Sequence, residues 1–209
     1  MTMSSTRKKA ARKSPAERAA EIADAARDLA LEQGLSTVTL RAVASRIDVA
    51  PALVAHYEPN MDALVASTFA TVVAAELDDI RGVLAAETRP TARVAALVDT
   101  LLDGTRDDVT LVWVEAWALG RRNETLAVAV RQEMDAWQLV VRGLVEDGVE
   151  AGEFAVDDAA DVAWQLLGMI DGLNAQALVR WSADRARGSV LHRAVEGMLG
   201  LDRYALDTA

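Results

Sequence analysis

Residues 39–58 read TLRAVASRIDVAPALVAHYE, and this run decides the architecture. Thr39 suits the N-cap of a short helix over about 40–47, with Val43, Ala44 and Ile47 facing inward. Asp48-Val49 forms a tight turn, because Asp tolerates the left-handed conformation better than most residues. Pro51 fits the first turn of a third helix over about 50–57, anchored by Val49, Leu53 and Val54. Two short helices joined by such a turn describe a helix-turn-helix unit, although any compact α-hairpin gives the same spacing.

Upstream, Ser14-Pro15-Ala16-Glu17 is a helix start: Ser14 as N-cap, Pro15 at the first position, and Glu17 closing a capping box. Ile22, Ala25, Ala26, Leu29 and Ala30 form an apolar stripe, and Gly34 ends a supporting helix over 15–33. Residues 1–13 read as a disordered basic arm, carrying the run Arg7-Lys8-Lys9-Ala10-Ala11-Arg12-Lys13. The chain's net charge is −10. It divides into +2 for residues 1–60 and −12 for the rest, a basic head on an acidic body. Phosphate attraction is local, so an acidic body does not prevent a basic head from meeting DNA.

Downstream, only α-helical periodicity is found, and no repeat of 20–50 residues. A long helix from Asp62 to about Ala86 carries Leu64, Val65, Phe69, Val72, Val73, Leu77, Ile80 and Leu84 on its apolar face. It is followed by helices over about 91–103, 107–119 and 123–150, with Gly148 and Gly152-Glu153-Phe154 ending the last of these. A helix from Asp157 to about Ser182 comes next, and Gly188 precedes a final one over about 189–199. The fold class is therefore all-α: a three-helix head over 14–60 and a larger helical body over 61–209.

The run Glu21–Leu64 resembles the N-terminal domain of TetR-family regulators. Ile22, Ala25, Ala26, Leu29, Gly34, Thr39-Leu40-Arg41, Val43-Ala44, Val49, His56-Tyr57, Pro59, Asp62 and Leu64 carry the likeness. The His56-Tyr57 pair and the Gly-Glu-Phe turn at 152–154 resemble the betaine-regulator branch. Three positions depart from the pattern: Asp48 stands for Gly, Glu58 for Phe, and Met61 for Lys. The loss of that Lys removes one expected phosphate contact.

The absence of Cys and of a secretory signal fits a reducing cytoplasm, and the resemblance implies a dimeric repressor. Its head would bind a palindromic double-stranded operator, and a small-molecule effector in the body would release it. Helix 40–47 would cross the DNA backbone and helix 50–57 would enter the major groove. Thr39 would offer a helix-start phosphate contact, and Arg41 a phosphate or guanine contact. Ala50, Pro51 and Ala52 would touch thymine methyls and sugars, and His56 and Tyr57 would donate to phosphates.

In the body, Trp113 and Trp117 lie one turn apart, and Met134 lies one turn before Trp137. Large aromatics with a flexible Met suit a ligand pocket, although a stripe at this spacing also marks a core. Phe69 and Met169 complete the candidate lining. Glu115 and Asp171 add acid nearby in sequence, which would favour a cation. The last two long helices are the candidate dimer elements, with Leu167, Ile170, Leu173, Leu178, Leu191 and Val195 as contacts.

Other classes fit less well. There is no Cys, and the two histidines, His56 and His192, are far apart. No phosphate-cradling glycine loop, HExxH helix or GxSxG elbow occurs, so neither an enzyme nor a metal or cofactor site is expected. No stretch of about 18 uninterrupted apolar residues suggests a membrane span. The alternative is a helical interaction module that no longer binds DNA, favoured by Glu58, Met61 and the small recognition face.

Overall fold

The computed structural model describes residues 13–181 and 186–207. They form α1 (Pro15–Gln33), a 3-10 turn (Leu35–Thr37), α2 (Leu40–Arg46), α3 (Pro51–Tyr57), α4 (Met61–Ala86) and α5 (Pro90–Leu102). These are followed by α6 (Asp107–Gly120), α7 (Glu124–Glu150), α8 (Ala159–Leu178) and α9 (Arg187–Leu199). No strand occurs among the described residues. Among the described residues, no helix is long and apolar enough to cross a membrane.

The head forms as its caps dictate. Ser14 accepts from the Glu17 amide while the Glu17 side chain accepts from the Ser14 amide, closing the capping box of α1. Ile22, Ala25, Ala26, Leu29 and Ala30 are buried beneath Val43, Ala44 and Val54 of the next two helices. Asp48 adopts φ 52°, the left-handed turn between α2 and α3, and the Val49 amide closes it on the Ala44 carbonyl. Arg46 pairs with Glu32 and brings α2 against the end of α1. Most of the expected basic arm lies outside the described residues; Lys13, its last member, pairs with Glu21.

The body is built around α4, which packs on α1 of the head and on α5, α6 and α7 of the body. Helix α7 packs in turn on α5, α6 and α8. A side chain from a distant segment completes the start of α5. Glu153 accepts from the Thr91 amide and hydroxyl at 3.1 and 2.5 Å, capping α5, which has no side-chain cap of its own. Those bonds hold the Glu153 carboxyl below its ordinary pKa.

Several boundaries differ from the periodicity. Helix α7 runs through Gly148 to Glu150. Gly148 instead makes room for Phe154: a Cβ there would lie 1.9 Å from the Phe154 ring. Phe154 is thereby tucked under the end of its own helix, with its amide on the Gly148 carbonyl. Gly188 lies inside α9, and α8 ends at Leu178. Ser182, the expected end of α8, lies outside the described residues.

Candidate functional site

On the head, Thr39 accepts from the Ala42 amide at 3.2 Å and so sets the start of α2. This places Arg41 on the first turn, exposed. Ala50, Pro51, Ala52 and His56 are exposed at and along α3. Tyr57 packs partly against the core and meets His56 edge-on, ring centroids 5.2 Å apart. The structure thus gathers all seven residues singled out by the sequence at the two short helices. The turn fixed by Asp48 sets the angle between them. The exposed end of α3 is apolar and small, so hydrogen-bonding capacity on this surface rests on Arg41, His56, Thr39 and Tyr57.

The body holds a cavity of about 690 Å³ between α4, α6, α7 and α8. Trp113, Trp117, Met134, Trp137 and Met169 line it, as the sequence suggested. Of the two acids that the sequence offered to this site, one is in place and one is not. Asp171 lines the cavity, whereas Glu115 points away from it to the head. Phe69 is fully buried behind the wall and supports it, packing edge-on to Trp113 with centroids 5.0 Å apart. The Trp113 and Trp117 rings lie 5.7 Å apart, tilted by 37°.

Periodicity did not single out the most consequential lining residue, Glu76. It sits on the apolar stripe of α4, one turn beyond Val72 and Val73, and that interruption was the available signal. Trp113 donates its indole N–H to Glu76 at 3.3 Å. Burial nevertheless dominates and pushes the Glu76 carboxyl up to about 7, with Asp108 and Asp171 adding repulsion and Arg106 opposing it. Burial likewise pushes Asp171 up to about 6. Asp135 adds a third acid at the rim, and none of the described lining side chains is basic. Trp164, 73% exposed, gives the cavity a fourth indole.

The cavity is therefore an aromatic chamber with underpaired carboxyls. A cation placed there meets indole faces and permits Glu76 and Asp171 to ionise, whereas an anion meets repulsion. Gln138 donates to the Ala160 carbonyl at 2.7 Å and Asn174 to the Leu101 carbonyl at 2.9 Å, so both amides also brace the chamber walls.

The dimer candidates separate by burial. Ile170, Leu191 and Val195 are buried in the chain's own core, and Ile170 also lines the cavity. Leu167 lines the cavity, while Leu173 and Leu178 are half-buried. The apolar groups that α8 and α9 leave exposed are instead Trp164, Val179 just beyond α8, and Val190. Gly168 and Gly172 lie on the open side of α8, with nothing near a would-be Cβ.

Comparison with known proteins agrees with this layout. Residues 22–68 match the family described as bacterial regulatory proteins, tetR family. Residues 90–200 match the family described as BetI-type transcriptional repressor, C-terminal. Among solved structures, a TetR transcription regulator from Haloarcula marismortui is 23% identical with a TM-score of 0.71. That match covers 88% of this chain and 97% of the other. A transcriptional regulator from Pseudomonas aeruginosa is 20% identical with a TM-score of 0.72, over 95% and 97% of the two chains. A protein from Saccharomonospora viridis, solved in complex with choline, is 20% identical with a TM-score of 0.75, over 88% and 96%. No match is found among proteins of curated function.

Proposed function

Since the chain belongs to the TetR family of transcription regulators, with a BetI-type C-terminal domain, we propose that it is a dimeric repressor released from its operator by an organic cation. The cavity carries this reading: indole rings and buried carboxyls without a basic lining partner. Each indole face stabilises a desolvated cation by about 0.5–2 kcal/mol. Ionising Glu76 and Asp171 around a positive charge removes the penalty that now keeps them partly neutral. A quaternary ammonium such as choline, the ligand of the Saccharomonospora viridis relative, matches this chemistry in size and charge.

On the head, Arg41 supplies phosphate or guanine contact, and His56 and Tyr57 supply donors at the end of α3. Ala50, Pro51 and Ala52 allow close approach to sugars and thymine methyls. One head alone offers few contacts, and dimers bind two half-sites related by the protein's symmetry. Pairing falls to α8 and α9, with Trp164, Val179 and Val190 at the interface and Gly168 and Gly172 allowing close approach. The effector must favour the arrangement that does not fit DNA, since a ligand indifferent to the two states shifts nothing.

The test is fluorescence anisotropy with DNA from beside the protein's own coding region, at two salt concentrations, with and without choline. The expected result is preference over scrambled DNA, weakening with salt, and release by choline. The small α3 face favours one other reading, an interaction module without DNA. Failure to select any site from a genomic library would establish that reading and end the repressor account.

A further inference from the structure

Helix α6 stands between the cavity and the head. Trp113 and Trp117 face the cavity. Glu115 lies midway between them in sequence, about 200° round the helix from each, and so faces the other way. Its carboxylate reaches the 3-10 turn that leads into α2. There it accepts from the Ser36 amide at 2.7 Å and from the Ser36 hydroxyl at 2.9 Å. It also lies over Gly34, where a Cβ would come within 2.6 Å of Glu115 Oε2. Gly34 has φ +92°, so the absence of a side chain serves both the backbone and the carboxylate. Among the described residues, these two are the hydrogen bonds that join the head to α6.

We propose that Glu115 is the positioning residue through which occupancy of the cavity reaches the DNA-reading head. Its bonds to Ser36 hold the turn before α2 against the body and so fix the orientation of α2 and α3. A ligand that displaces Trp113 or Trp117 shifts the helix that carries Glu115. A displacement of about 1 Å stretches both bonds past hydrogen-bonding distance. The head is then released from the orientation that two half-sites require. This inference rests on the repressor reading for its biological meaning, but the linkage itself can be measured without DNA.

Linkage makes the test directional. If ligand binding works against the Glu115–Ser36 contact, removing the contact must tighten ligand binding. The experiment is calorimetric titration of the full chain with choline, comparing wild type, Glu115→Ala and Glu115→Gln. Amide exchange at Ser36 is followed with and without choline. The expected result is choline binding to Glu115→Ala tightened on the order of tenfold, with Glu115→Gln in between because it keeps an acceptor oxygen. In the wild type, choline accelerates exchange at Ser36. A side chain with a merely structural role would not tighten ligand binding on removal.

Two variants on the cavity side of α6, Trp117→Ala and Trp113→Phe, report the same connection with no ligand, and at least one should change Ser36 exchange. Unchanged choline affinity in Glu115→Ala, with choline-insensitive Ser36 exchange in the wild type, overturns the proposal. If choline does not bind at all, Ser36 exchange unaffected by both Trp variants overturns it. Wild type that shows the linkage but selects no DNA would leave the Glu115 contact standing and remove the repressor reading alone.

Discussion

Replacing Glu76 with Gln should make the ligand-free protein more stable at pH 8, and by a much smaller margin at pH 5. The Glu76 carboxyl titrates near 7 in the fold because burial disfavours its charge, against an ordinary value of 4.5. A raised acid binds its proton more tightly in the folded state. Its favourable contribution is complete below the unfolded value and is lost as the pH rises through about 7. A rise of about 2.5 pH units corresponds to about 3 kcal/mol. Gln has nearly the same shape, stays neutral and can still accept from the Trp113 indole.

The difference between the two proteins isolates this residue from the rest of the titration. Asp171, also raised by burial, is present in both and largely cancels. The assay is urea unfolding at intervals from pH 5 to pH 8.5. With a slope of about 2 kcal/mol per molar urea, the midpoint of Glu76→Gln should exceed that of wild type by about 1.5 M at the alkaline end. The gap should narrow towards pH 5. Choline at one hundred times its dissociation constant should restore about 2.7 kcal/mol to the wild type and less to the variant, which lacks one anionic partner. Parallel pH profiles in the two proteins would show that Glu76 is not held neutral by burial, and the cation argument would lose its main support.

Choline affinity for the wild type should increase between pH 5.5 and pH 8, because the cation binds the ionised forms of Glu76 and Asp171; a flat calorimetric profile would contradict that. Gly148→Ala should destabilise the fold by about 1–3 kcal/mol, because the added methyl invades the Phe154 ring; an unchanged melting temperature would mean that the ring moves aside freely. Val190→Asp, on the exposed side of α9, should convert a dimer to a monomer in sedimentation, whereas a dimer unaffected by it would place the interface elsewhere. Arg41→Ala should weaken operator binding by about 1–3 kcal/mol if it reads a base, and reduce the salt dependence if it meets phosphate; a change in neither would return it to solvent.

The head was legible in residue order because its determinants are local. Ser14 and Glu17 close a capping box across three residues, and Thr39 caps α2 in the same way. Asp48 takes the left-handed turn that its side chain tolerates. Such signals act within a few residues, so they survive without knowledge of the remainder of the chain. The helical periods of the body were equally local, and they gave the helices to within a few residues. Three of the four cavity indoles were foreseen, because Trp113, Trp117 and Trp137 stand out by size and spacing.

What each body helix packs against was not local. The same apolar stripe serves a core, a cavity wall or a partner, and periodicity names the face without naming what it meets. Hence Phe69 belongs to the support behind the cavity, and Ile170, Leu191 and Val195 to the chain's own core. Glu76 and Glu115 show the limit most clearly. Both are acids on mostly apolar helices, yet one is buried among indoles and the other reaches seventy-nine positions back to Ser36. The sequence by itself determined the helices, the turn of the head and the supply of aromatic and acidic groups. Only the tertiary structure decided which acid faces the cavity and which holds the head, because burial and hydrogen bonding between distant segments depend on how whole helices pack.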